Sequence, residues 1–198
     1  MKLKPLPLIA SLLLGWPSQV LASPDANSTS PVQTQSIENK KPERRLAEST
    51  MVATIKAPIG YVWDTLVDFG KYPEIFERLK SVNVTKRDGN FVYIESLLKP
   101  HLFVRTEVQH TVNDLAGKPE VLKWKLLDGN FRYVEGSWNL KSLSTNSTEV
   151  TYRLSVDPGP VIPAHLVSFV LHFVQKEIVN SFAQYTEKTF TSKEKAAL

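Results

Sequence analysis

An α+β domain, with an antiparallel sheet of about seven strands and one long C-terminal helix, is predicted by three observations. Apolar and polar residues alternate through six segments between Val82 and Asp157, the period of strands with one dry and one wet face. The triplets Asp88-Gly89-Asn90 and Asp128-Gly129-Asn130 separate alternating runs, as hairpin turns do. After Pro158-Gly159-Pro160 the spacing of apolar residues becomes helical over 163–185.

The first element is a strand, in which Met51, Ala53, Ile55 and Ala57 alternate with Val52, Thr54 and Lys56 until Pro58 ends it. Pro58 also suits a helix start, and Ile59, Val62, Trp63, Leu66 and Val67 recur at helical spacing until Gly70. Tyr72-Pro73-Glu74-Ile75-Phe76 forms a second short helix. A meander follows, from 82–84 through the turn at Gly89 to 91–98. Residues 101–112 put Leu102, Val104, Val108 and Val112 on one face, and His110 shares their parity, pointing it inward. Arg105, Glu107 and Gln109 take the outer face; only a bulge before Arg105 would invert this. Leu122, Trp124 and Leu126 oppose Lys123 and Lys125 over 121–127; Val134, Gly136, Trp138 and Leu140 share a face over 133–143. Over 149–157, Val150, Tyr152, Leu154 and Val156 oppose Thr151, Arg153 and Ser155.

The last helix has more apolar residues than one stripe can hold. Leu166, Phe169, Val170, Phe173 and Val174 form one face toward the sheet, while Val167 and Leu171 leave apolar area on another side. That area meets a membrane surface or packs under the loops between strands. The stretch 164–174 is shorter than the ~20 residues that span a bilayer. A curved sheet under one helix tends to leave space, which Trp124, Trp138 and Tyr152 either fill or line.

Ahead of the domain, Lys2 and Lys4 precede an apolar run at 6–14, and Val20-Leu21-Ala22 offers a cleavage site. That is the layout of a secretory signal peptide over 1–22, which places the mature protein in the periplasm or outside the cell. A retained anchor is the competing reading; Pro5, Pro7 and Pro17 interrupt a helix and favour cleavage. Residues 23–48 are rich in Ser, Thr, Asn, Gln and Pro and read as a disordered linker. The domain then covers 49–192, with a tail at 193–198. With no cysteine, the fold has no disulfide and no thiolate chemistry, and must rely on burial. The formal net charge of +4 falls to about +2 without Lys2 and Lys4, too mild and too scattered for a nucleic-acid surface.

The element order and three segments resemble the START-like, helix-grip (SRPBCC) superfamily, in its polyketide cyclase/dehydrase and coenzyme Q-binding (COQ10-like) branch. The segments are Ile55-Lys56-Ala57-Pro58 through Val62-Trp63-Asp64-Thr65-Leu66-Val67-Asp68-Phe69-Gly70-Lys71-Tyr72-Pro73-Glu74, then Leu127-Asp128-Gly129-Asn130-Phe131-Arg132 with Glu135-Gly136-Ser137-Trp138, then Thr148-Glu149-Val150-Thr151-Tyr152-Arg153-Leu154. The resemblance spans about residues 50–190. It implies a mainly apolar cavity between sheet and last helix, used by members for sterols, phospholipids, polyketides, quinones or plant hormones. The residues expected to line it are Trp63, Leu66, Val104, Val108, His110, Trp124, Leu126, Trp138, Tyr152, Leu166, Phe169, Val170 and Phe173. Most members of this branch share no catalytic residues.

Residue chemistry points the same way. His101, His110, His165 and His172 show no metal-ligand spacing, and Asp64 and Asp68 share the wet side of their helix. No nucleophile elbow, phosphate loop or dinucleotide fingerprint occurs, so neither metal nor cofactor is expected. The expected function is non-catalytic binding or transport of a hydrophobic small molecule by a monomer, with peripheral membrane contact through 163–174. The alternatives are a cyclase/dehydratase using His110 and Tyr152, or an envelope interaction module whose cavity is filled.

Overall fold

A computed structural model describes residues 46–100, 107–129, 131–157 and 164–196, without the side chains of 164–166. The alternating segments become seven strands: β1 (Ala47–Ile55), β2 (Leu79–Asp88), β3 (Phe91–Leu98), β4 (Glu107–Gly117), β5 (Val121–Asp128), β6 (Tyr133–Ser144) and β7 (Ser147–Asp157). Between β1 and β2 lie α1 (Ile59–Val67), a 3-10 turn (Phe69–Lys71) and α2 (Tyr72–Ile75); α3 (Ala164–Ala196) closes the chain. All pairings are antiparallel in the order β1-β7-β6-β5-β4-β3-β2, so β1 and β2 are the two sheet edges. The chain travels from one edge to the other through α1 and α2. The expected α+β helix-grip arrangement is what the chain adopts.

One core joins the layers. Leu122, Val134, Trp138, Leu140, Val150, Tyr152 and Leu154 of the sheet pack with Val62, Trp63 and Leu66 of α1 and with Val179 and Phe182 of α3. Trp138 stands at its centre, with ring centroids 4.4 Å from Tyr152 and 5.0 Å from Phe182. Such aromatic contacts add to the area that the rings bury. The turn from β1 into α1 is fixed by the Thr148 hydroxyl, which donates to the Ala57 carbonyl at 2.8 Å.

The phase of α3 is set by a single stripe of buried positions: Val167, Leu171, Gln175, Val179, Phe182 and Thr186. Gln175 is polar yet 0% exposed, because β1 supplies partners for it. Its Nε2 donates to the Ser49 carbonyl at 2.9 Å, and the Ser49 hydroxyl donates to its Oε1. Two residues later, Glu177 accepts from Nε and Nη2 of Arg78 at 2.8 and 2.7 Å, beside the start of β2. Further along, the Lys56 amide donates to Glu187 at 2.8 Å.

Three expected boundaries move. α3 continues through Ala196, so 193–196 are helical rather than a tail. β4 runs on to Gly117 past the polar Asn113-Asp114 pair, since its ladder to β3 continues to Asp114. Ala47 and Glu48, placed in the linker, already pair with β7. The expected leader 1–22, the expected linker as far as residue 45 and Pro158-Gly159-Pro160 lie outside the described residues.

Gln175→Leu is expected to destabilise the fold by about 1–3 kcal/mol, because it leaves the half-buried hydroxyl and carbonyl of Ser49 without their partner. Adding Ser49→Ala should recover only part of the loss, since the Ser49 carbonyl still lacks its donor. Urea denaturation of both variants against the parent checks this.

Candidate functional site

A change of side-chain size along α3 creates a void. In its second half Val179 and Phe182 are in the core, and Phe182 reaches Trp138. Before Gln175 the inward positions carry the short side chains Val167, Val170, Leu171 and Val174; Val167 and Leu171 join the core, and all four leave space beside them. Phe169 and Phe173, which could have filled the gap, are 72% and 51% exposed. A cavity of about 310 Å³ remains, at the lower end for small-molecule sites.

Its walls differ. β6 and β7 supply Val134, Trp138, Tyr152, Leu154 and Val156, while α2 and its flank supply Tyr72 and Phe76. β3 and β4 contribute Ile94 and Leu98 but also Ser96, Gln109, Thr111 and Asn113. Arg78 and Glu177, joined to each other, are the charged residues of the described lining.

Trp124 takes its place because of a glycine. It pairs across the ladder with Gly136, and a Cβ on Gly136 would stand 2.7 Å from two indole carbons and 2.8 Å from the Arg153 carbonyl. The indole therefore lies flat against the strand instead of blocking the void. Tyr72 donates its hydroxyl to the Leu66 carbonyl at 2.9 Å. Burial pushes the ionisation of both Tyr72 and Tyr152 well above the usual phenol range, so both remain protonated donors.

Of the residues expected at the site, Trp124, Trp138, Tyr152 and Val170 stand on the cavity wall. Trp63, Leu66 and Leu126 pack in or against the core and are not among the lining. Val104 lies outside the described residues, as does the side chain of Leu166. Phe169 and Phe173 correct the expected phase of α3: they face outward, while Val167 and Leu171, expected on another side, face the cavity. The first half of the helix is apolar enough to permit either phase. Gln175, a polar residue inside the buried stripe, hides the true one. The signal was in the second half, where Val179, Phe182 and Thr186 project the stripe back onto Leu171 and Val167.

Val108 and His110 are a second correction. Val92 and Ile94 of β3 turn inward to pack with Phe69, and their register partners Asn113 and Thr111 must turn inward too. The other parity of β4 then faces out, where Val108 is exposed. There His110 Nε2 sits 3.3 Å from Glu95 and Nδ1 3.7 Å from Asp128. Sequence reasoning assigned the apolar side of β4 to the interior; here the cavity receives the polar side. Among the described residues no group of His, Asp and Glu is arranged to hold a metal ion, and no helix is long and apolar enough to cross a membrane.

Comparison with known proteins gives a consistent picture. A family profile described as polyketide cyclase/dehydrase and lipid transport matches residues 55–183. No curated protein matches the sequence. Among solved structures, a START superfamily protein from Mycobacterium smegmatis superposes with a TM-score of 0.65 at 14% identity, over 72% of this chain and 98% of that one. The Zhui aromatase/cyclase from Streptomyces sp. R1128 gives 0.63 at 14% identity, over 72% and 94%. A protein from Thermus thermophilus gives 0.62 at 16% identity, over 74% and 99%. At these identities the likeness is one of fold.

Gly136→Ala is expected to destabilise the protein by about 1–3 kcal/mol and to drive the Trp124 ring into the cavity. A lowered melting temperature, with a changed Trp124 environment in fluorescence, checks this; a variant indistinguishable from the parent contradicts the packing described.

Proposed function

The chain belongs to the polyketide cyclase/dehydrase and lipid transport family, and from that premise we propose that it binds and carries a hydrophobic small molecule without transforming it. The observation that carries this reading is the void of about 310 Å³ under the short side chains of α3. Each 100 Å² of apolar ligand surface removed from water there contributes about 2.5 kcal/mol. A filled interior, as an interaction module would have, fits this lining less well.

Phe169 and Phe173 give the carrier a means of exchange. They lie exposed on the turns of α3 whose other side walls the cavity. Aromatic residues so placed suit the boundary between lipid headgroups and acyl chains. Contact with a membrane through these two residues brings the cavity next to a source or acceptor of ligand. A site of action outside the cytoplasm is supported by the leader pattern of Lys2, Lys4 and the apolar run before Ala22. Quinones of the kind bound in the COQ10-like branch are among the candidate ligands.

The Streptomyces relative is an aromatase/cyclase, and an enzymatic reading of this chain would use His110 with Tyr152. Those two side chains project from opposite faces of the sheet, so they do not converge on one bound molecule. Tyr152 alone borders the cavity.

Native mass spectrometry of the purified protein, before and after solvent extraction, tests the carrier. An apolar molecule of a few hundred daltons should be present and exchangeable, and Val170→Trp should exclude it while leaving the melting temperature close to that of the parent. Phe169→Ser with Phe173→Ser should leave occupancy unchanged and slow transfer to vesicles. A parent protein that neither co-purifies with nor takes up any apolar compound overturns the reading.

A further inference from the structure

The polar face of β3 and β4 inside the cavity specifies more than a greasy ligand. Ser96 and Asn113 are only 8% and 4% exposed. Among the described residues the hydroxyls of Ser96 and Thr111 have no protein partner. Asn113 donates to the Val92 carbonyl at a long 3.4 Å, and its own amide oxygen is not bonded. Gln109, in register with Ser96, shares a hydrogen bond with Glu107. These groups line the open cavity, where oxygen or nitrogen atoms of a bound molecule can reach them.

Charge narrows the class further. Arg78 and Glu177 already satisfy each other through two hydrogen bonds. Among the described lining residues, a carboxylate or phosphate drawn into the cavity would have to break that pair or lie without a counter-charge, and both are unfavourable. On the opposite wall the first half of α3, through Val167, Val170, Leu171 and Val174, presents hydrocarbon.

We infer that the cavity selects an uncharged molecule with hydroxyl or carbonyl oxygens along one edge, read by Ser96, Thr111 and Asn113, and with hydrocarbon along the other. The inference rests on the carrier reading above and deepens it. Ser96 and Thr111 are diagonal neighbours across the β3–β4 ladder, about 7–8 Å apart, so the oxygens are read at that spacing.

Three probes with one ring skeleton separate the contributions. Naphthalene has no polar edge, 2,7-dihydroxynaphthalene has two hydroxyls on one edge at about that diagonal spacing, and 2-naphthoate carries a charge. Each is titrated calorimetrically at neutral pH into the protein and into the Ser96→Ala/Thr111→Val variant. Neither substitution removes a bond to the protein, so the melting curves should coincide. The diol should lose about ten-fold in affinity in the variant, as two hydrogen bonds are withdrawn, while naphthalene is unaffected. The parent should bind the naphthoate about ten-fold more weakly than the diol. Equal diol affinity for parent and variant, or naphthoate binding as tight as the diol, overturns the inference while naphthalene binding preserves the carrier. Binding of none of the three overturns both.

Discussion

α3 is held from both edges of the sheet within a single turn, and the rest of the site depends on this. Gln175 is bonded to Ser49 on β1, and Glu177 to Arg78 beside β2. These two contacts fix the height of the helix over the sheet at one point. On the C-terminal side Val179, Phe182 and Thr186 are buried. On the N-terminal side the helix spans the sheet without filling the interval. The clasp stands beside the hollow, whose lining runs along α3 from Val167 to Ser181, and Gln175 could not sit fully buried without the partners that β1 provides.

The hollow is maintained by small groups where large ones would close it. Valine and leucine face inward on α3 while the two phenylalanines of that segment face outward. Gly136 lets the Trp124 indole lie against its strand rather than across the void. The two walls also differ in chemistry, mostly hydrocarbon on the first half of α3 and on β7, and amide and hydroxyl groups on β3 and β4. A ligand is thus oriented as well as buried. The Arg78–Glu177 pair, placed in the lining but internally neutral, discourages charge without disturbing the fold.

The element order could be read in advance because it depends on periodicity and on turn residues. Pro58, Gly70, Asp88-Gly89 and Asp128-Gly129 mark boundaries by backbone chemistry alone, and the strands between them alternate cleanly. The parity of β4 could not be read this way. Its apolar positions lie outward, and only its pairing with β3, itself fixed by Val92 and Ile94 packing on Phe69, determines which side enters the cavity. The phase of α3 failed for a related reason: a buried glutamine satisfied by a distant strand is invisible to hydropathy. Trp124, Trp138 and Tyr152 were identifiable because large aromatics on regular strands have few alternatives. Ser96, Thr111 and Asn113 were passed over because alternation treats polar residues as wet.

The vacancy beneath α3 is tested most directly by crystallography under xenon pressure, since xenon settles in apolar voids and reports them by its scattering. Xenon density between Trp138 and Leu154 on the sheet and Val170 and Leu171 on the helix is the result expected from the geometry described. Side chains meeting across that interval, with no xenon between them, would contradict it.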